Sequence, residues 1–424
     1  MTTTLVFMNS HLLLEQALAY DNLSASELAR RTGLSQATVS RALQHLPVLK
    51  LGAGRNTVFA WLSTREAHPL YAINSQGQPE TIASVYCQPN KRMLVIKDNY
   101  YQSFDDIPWY LQSAIPAGFL GRWHGEHLSQ RLGINKNPAR WTHQEALHYF
   151  LQAGEQLPGN LMLGKVAAQR YLDAYQALAP MTSDAYDQLA AQMLQHGFAC
   201  SSVAGEQPKF LAYVQHDNQC YHAIVKYSPP FALNSPAAQR YRNLLKAEHL
   251  ALRCLQAHSI PAAQSRLIEG ERLYLEVQRF DRMGEHGRRG IVSLKEVDAE
   301  FIGGATHWHE AADALCKQGL IDETTRQHIH LVYAFGHYIA NTDMHFGNLA
   351  FYFEDLALQG LAPIYDMLPM FYMPVRDEII ERTYKLKPLI GIEPSIRERA
   401  ETMAHDYWQS IRALQLNFAN HPPL

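Results

Sequence analysis

The segment Asn341-Thr342-Asp343-Met344-His345-Phe346-Gly347-Asn348 constrains this chain more than any other. It sits between an apolar, helix-like stretch from Thr325 to Ile339 and a strand-like run, Leu349-Ala350-Phe351-Tyr352-Phe353. Eighteen residues after Asn348 stands Asp366, in Ala362-Pro363-Ile364-Tyr365-Asp366-Met367-Leu368-Pro369. An amide and an aspartate at these places offer hard oxygen donors. Mg²⁺ takes one or two such side chains and fills its other positions from phosphates and water. With Asn348 and Asp366 as the metal ligands, Asp343 is left to receive the proton of an attacking hydroxyl. His345 is a poor ligand for Mg²⁺ and is expected to hold the loop by hydrogen bonding beside the nucleotide. The plain alternative is a polar turn between a helix and a hairpin.

Four upstream segments give this reading its context. Ser201-Ser202-Val203-Ala204-Gly205-Glu206-Gln207-Pro208-Lys209 is a small-residue loop before a strand, where backbone N–H groups can approach phosphates. It is neither a G-x-G-x-x-G nor a Walker A loop, and alone an ordinary β-turn explains it. Lys226 ends the apolar return strand of a hairpin, where a lysine reaches either phosphates or solvent. A helix opens at Ser235-Pro236 and carries Glu248 among leucines, a candidate partner for Lys226. A strand through Glu276-Val277-Gln278 ends in Arg279-Phe280-Asp281-Arg282, and the backbone near Val277 to Arg279 is expected to form a lobe hinge against adenine. Arg279 with Asp281 would lock the crossover; at the least they form a surface ion pair worth under ~1 kcal/mol. Loop, strand lysine, helix glutamate, hinge, Asp-x-x-x-x-Asn and a later Asp follow one another as in protein kinases.

The N-terminus reads differently. The first 65 residues carry a net charge of +3, against −3 for the 424-residue chain. Ser10 is placed to cap a first helix, and Ser24-Ala25-Ser26-Glu27 is a capping box opening a second. Gly33 provides a left-handed turn, and Ser35 caps a third helix with Val39, Leu43 and Leu46 inward. That spacing predicts a helix-turn-helix whose third helix enters the major groove. Gln36, Thr38, Ser40 and Arg41 are its outward side chains, Gln and Arg being able to bond adenine and guanine in pairs. Residues 48–51 and 57–62 read as a wing with Arg55 at its tip. The alternative is a small helical protein-interaction domain. The five cysteines are scattered, with no C-x-x-C pair, which argues against a disulfide framework or cysteine zinc site and fits a reducing cytoplasm. No apolar run approaches a membrane span.

The strings SVAGEQPKF, HAIVK, QRFDR, NTDMHFGN and APIYDMLP, in that order, resemble the HipA family of toxin-type serine/threonine kinases. FDDIPWYLQSAIPAGFLGR is similar to the family's N-terminal subdomain; read alone, it says packed, irregular surface. The fused helix-turn-helix makes the chain most like the HipH branch, since HipA borrows DNA binding from a separate antitoxin, HipB. The resemblance implies ATP as substrate, Mg²⁺ as cofactor, Asp343 as base, and Asn348 and Asp366 as metal ligands. It implies that Ser202, Val203, Ala204, Gly205, Lys209, Lys226, Glu276, Val277, Gln278 and His345 contact ATP, with Ser202 as the autophosphorylated loop serine. Departures are Glu206 in the loop, Gln278 in place of an acid, and residues 293–297 where the family has an acidic segment.

The expected fold is therefore α+β: a bilobal, protein-kinase-like body behind a small winged helix-turn-helix. The expected divisions are DNA binding at 1–65, a linker at 66–80, the first lobe at 81–280 and a mainly helical second lobe at 281–424. The expected partners are ATP, a protein substrate and DNA, with a homodimer on DNA and room for a separate antitoxin. Two other functions fit the residues: a nucleotide-sensing transcription regulator with an inactive kinase body, and a small-molecule phosphotransferase.

Overall fold

A computed structural model describes residues 2–155, 157–176, 178–195 and 207–418. The chain opens with three helices, α1 (Thr2–Leu18), α2 (Ala25–Thr32) and α3 (Gln36–Leu43). The hairpin β1 (Val48–Leu51) and β2 (Val58–Trp61) follows. The capping box of α2 forms as expected: the Glu27 amide donates to Ser24 Oγ at 3.3 Å, and the Ser24 amide to Glu27 Oε2 at 3.1 Å. Gly33 ends α2 at φ +72°, a conformation that costs glycine nothing. Ser10 does not start a helix; α1 runs through it, because no proline or glycine interrupts residues 2–9. Leu14, Leu18, Leu28, Val39, Leu43 and Trp61 form the core of this unit.

The middle of the chain builds the sheet β6-β5-β4-β3-β7. Its strands are β3 (His68–Ile73), β4 (Pro79–Cys87), β5 (Met93–Lys97), β6 (Tyr100–Phe104) and, after the helices α4 (Trp109–Gln112), α5 (Gly118–Leu132) and α6 (His143–Gln152), β7 (Leu161–Leu163). This corrects the linker expected at 66–80: β3 lies inside the sheet, paired with β4 on one side and β7 on the other. Pro69 and the polar residues around the strand hide Leu70 and Ile73, which are fully buried. The aromatic stretch near residue 109 is core rather than surface. Trp109 packs edge-on to Phe301 and Phe353, with centroids 5.3 and 5.4 Å away.

Helices α7 (Lys165–Gln176) and α8 (Tyr186–Gln195) lead to the first lobe. Its antiparallel sheet is made of β8 (Lys209–His216), β9 (Gln219–Pro230), β10 (Ser265–Glu269) and β11 (Arg272–Gln278), in the order β10-β11-β9-β8. The long helix α9 (Pro236–Ala257) crosses one face, burying Leu244, Leu245 and Leu252. The ribbon β12 (Arg282–Met283) and β13 (Gly287–Arg288) leads to β14 (Ile291–Ser293). The second lobe then adds α10 (Leu294–Phe301), α11 (Trp308–Lys317), α12 (Glu323–Tyr338), β15 (Ala350–Glu354), β16 (Ala357–Leu361) and α13 (Pro394–Ala413). One continuous core runs from Leu70 and Val85 of the middle sheet to Trp308, Phe335 and Trp408 of the second lobe. The fold is α+β, with a kinase-like body of two lobes. Among the described residues no helix is long and apolar enough to cross a membrane.

Candidate active site

Strand alternation decides which side chains reach the gap between the lobes. On the face toward α9, Lys209, Leu211, Ile224, Lys226 and Val277 line a cleft of about 370 Å³. That volume lies within the range of small-molecule pockets. The opposite face carries Phe210, Val225 and Tyr274, packed against Tyr186 of α8. The Glu276 side chain belongs to that opposite face and turns away from the cleft. Its carboxylate accepts from Tyr186 Oη at 2.5 Å and Tyr221 Oη at 2.7 Å, with His216 Nε2 at 3.0 Å. A single-residue step along the strand turns Val277 to the cleft, and Gln278, at the end of the strand, lines it as well.

Lys226 is the centre of the cleft. Its Nζ donates to Glu248 Oε1 at 2.7 Å, to Glu248 Oε2 at 2.8 Å and to Asp366 Oδ1 at 2.5 Å. Lys226 is 6% exposed and Glu248 1%. Burial alone would lower the lysine's pKa; Asp366 and Glu248 more than offset it and hold Nζ charged. Burial would raise Asp366, yet Lys226 and then Lys209 bring it down to about 2, so it is a carboxylate at neutral pH. Glu248 is raised by burial against the pull of Lys226. A strand lysine tied to a helix glutamate is the arrangement by which protein kinases place their phosphate-binding lysine.

Asp366 is brought to Lys226 by its backbone. The Ala263 amide donates to the Ile364 carbonyl at 2.9 Å and the Ile364 amide to the Pro261 carbonyl at 2.9 Å, stitching residues 362–366 to the strand-entry loop. Asp366 then turns in the left-handed region at φ +54°, which Asp tolerates better than most residues.

The 341–348 loop is fastened as a unit. The Asp343 amide donates to Asn341 Oδ1 at 3.0 Å, and Asn348 Nδ2 donates to the Asp343 carbonyl at 2.9 Å. Tyr365 Oη donates to the Gly347 carbonyl at 2.6 Å, and Trp308 Nε1 to the His345 carbonyl at 3.1 Å. His345 Nδ1 accepts from the Gly347 amide at 3.0 Å, which is the loop-holding role expected of it. Asn348 and Asp366 line the cleft, whereas Asp343 and His345 line an adjoining groove bounded by Tyr333, His337 and residues 384–391. The loop thus stands between the two spaces, and His345 faces the groove rather than the cleft.

The donor set fits Mg²⁺. Asn348 and Asp366 bring two hard-oxygen side chains to one wall of the cleft. Among the described residues no group of three or more His, Cys, Asp or Glu forms a ready metal cage. An Mg²⁺ held by these two side chains would complete its shell with phosphate and water oxygens. Ser202, Val203, Ala204 and Gly205 lie outside the described residues, so the loop expected to cover the nucleotide, and Ser202 as a modification site, are not placed.

The crossover Arg279-Phe280-Asp281-Arg282 is buried rather than a surface pair. Asp281, 4% exposed, accepts from Arg279 at 2.9 and 2.8 Å, from Arg282 at 2.6 Å and from the Gly159 amide at 2.9 Å. The reading of the sequence missed one side of the cleft altogether: Ser113, Pro116, Leu120, Gly121 and His124 of the middle segment also line it. The signal was present in Gly121 and Gly125, four residues apart on one helix face, which permits close approach of other backbone.

At the N-terminus, Gln36, Ser40, Arg41 and Arg55 are exposed. Thr38 is half-buried, its amide donating to Ser35 Oγ at 3.2 Å and its hydroxyl within 2.9 Å of the same atom, so it serves the helix cap.

Comparison with known proteins agrees with this architecture. Residues 201–414 match the profile of the HipA-like C-terminal domain, and residues 64–172 match that of the YjjJ-like toxin, middle domain. The chain belongs to the HipA-type toxins with a kinase-like body, in the YjjJ-like group. It is 34% identical over 404 residues to Toxin YjjJ of Escherichia coli strain K12, covering 92% of this chain and 90% of that one. Among solved structures it is loosely similar to HipA of Shewanella oneidensis MR-1, described in complex with HipB and its operator DNA. That match has 16% identity, a TM-score of 0.44, and covers 84% of this chain and 92% of that one. A looser likeness is to the Helicobacter pylori proinflammatory kinase CtkA, at 18% identity and a TM-score of 0.28, over 37% of this chain and 52% of that one.

Proposed function

We propose that this chain is an ATP- and Mg²⁺-dependent serine/threonine protein kinase that also binds DNA through its N-terminal helices. The observation that carries the reading is Lys226 held between Glu248 and Asp366 in a cleft that Asn348 shares. In this reading Lys226 and Lys209 neutralise ATP phosphates, while Asn348 and Asp366 hold the metal, which stabilises the charge that develops on the transferring phosphoryl group. The acceptor hydroxyl enters from the groove and gives its proton to Asp343. Because the loop separates groove from cleft, the acceptor and the γ-phosphate approach Asp343 from different sides.

Incubation with γ-labelled ATP tests the reading. Label should appear on the chain itself or on a protein of the host lysate, and excess EDTA should abolish it. Absence of label from every protein would favour a nucleotide-sensing regulator with an inactive body.

The N-terminal reading has its own test. Arg41 is exposed, and its Nε donates to the Ala37 carbonyl of its own helix at 3.3 Å. Arg41→Ala should weaken operator binding by about 1–3 kcal/mol and relax discrimination at one base pair. Titration across a salt series checks this; unchanged affinity at every salt concentration would remove Arg41 from the interface.

A further inference from the structure

Part of the cleft wall comes from a stretch of the chain that lies before both kinase-like lobes in sequence. Ala117, Leu120, Gly121 and His124 line it, at positions i, i+3, i+4 and i+7, so a single stripe of α5 faces the cleft. Two glycines let the loops that flank the helix pack against it. A Cβ on Gly121 would lie 2.7 Å from the Pro116 carbonyl, and one on Gly125 would lie 2.1 Å from the Lys136 carbonyl oxygen. Neither backbone could remain where it is beside a larger residue. Across the gap stand Val277, Gln278, Arg279 and Phe280. Lys226 and Asp366 would take the phosphates, whereas His124 feels the charge of Arg279, next after the hinge strand, which sets this stripe toward the nucleoside of a bound nucleotide.

We infer that His124 is a specificity residue of this cleft, hydrogen-bonding the nucleoside portion of a bound nucleoside triphosphate. His124 is the polar side chain of the stripe. Its ring has an edge contact with Trp123 at 5.0 Å, and neither ring nitrogen has a hydrogen-bond partner among the described residues. Burial, then the neighbouring His127, bring its pKa down to about 4, and Arg279 acts in the same direction. The ring is therefore neutral at physiological pH, with one N–H to donate and one lone pair to accept. A neutral imidazole of this kind can pair a donor and an acceptor with a base edge or ribose hydroxyls, and it brings no positive charge to a phosphate.

This inference rests on the nucleotide reading above, and the experiment separates the two. Calorimetric titration of the full chain with ATP and with inorganic tripolyphosphate, both with Mg²⁺, compares the nucleoside with the phosphates alone. His124→Ala should weaken ATP binding roughly fivefold to tenfold, the loss of one neutral hydrogen bond, and leave tripolyphosphate binding unchanged. His124→Gln, which keeps a donor and an acceptor, should restore part of the loss. Equal ATP affinity in wild type and His124→Ala would overturn the inference alone. A parallel fall for ATP and tripolyphosphate would also overturn it, by showing a merely structural role. A wild type that binds no ATP would overturn the proposed function and this inference with it.

Discussion

Asp343→Asn is expected to fold as the parent chain does and to transfer the ATP γ-phosphate about 10²–10⁴-fold more slowly, the range supplied by a positioned general base. Two backbone hydrogen bonds hold residue 343 in the loop, its amide to Asn341 and its carbonyl to Asn348. Asparagine keeps these, nearly the same volume and an exposed position. What it lacks is a carboxylate able to take the hydroxyl proton. Single-turnover transfer of γ-label reads the rate, and circular dichroism reads the fold. Transfer at the parent rate would show that another group receives the proton.

Asp281→Ala should have the largest effect on stability. Three buried groups converge on this carboxylate, and its loss leaves the Arg279 and Arg282 guanidiniums facing one another with little solvent. Removing one partner of a buried, hydrogen-bonded charge pair costs about 3–5 kcal/mol, because the remaining charge is uncompensated. The urea midpoint should fall accordingly, and Asp281→Asn should fall between the two. The dependence on pH has a definite sign. Burial opposes ionisation, but Arg279 and Arg282 outweigh it and hold the Asp281 carboxyl well below the usual carboxylate range. A depressed folded pKa means that the stabilisation is fully present above the unfolded value of ~3.9 and is lost as pH falls toward the folded one. The advantage of the parent over the variant should thus be constant from pH 5 to pH 7 and shrink only in stronger acid. A midpoint unmoved by Asp281→Ala would mean that the crossover is held by packing alone.

Where a local rule acted on a local segment, the sequence was readable. The Ser24–Glu27 box and Gly33 place α2 because each device involves neighbours in the chain. The spacing from Asp343 to Asn348 could be read for the same reason: one short loop carries both. Glu248 could be named as a partner of Lys226 only by analogy, since α9 meets β9 through tertiary packing that no periodicity displays. The hinge reading concerned backbone and left open which way each side chain turns, so the turn of Glu276 away from the cleft was not legible. β3 was hidden by its proline and polar neighbours, although pairing on both sides makes it an interior strand. The wall built from α5 was invisible because it joins residues more than a hundred positions apart, and only its paired glycines hinted at close approach.

Calorimetric titration of ATP into the Asp343→Asn and Asp366→Asn variants, each with Mg²⁺ and with EDTA, tests the central claim most directly. The account predicts that the first variant binds ATP tightly and only with Mg²⁺, and that the second loses this metal-dependent binding. An Asp366→Asn variant that binds ATP as the parent does, or a parent chain whose ATP binding is indifferent to EDTA, would contradict it.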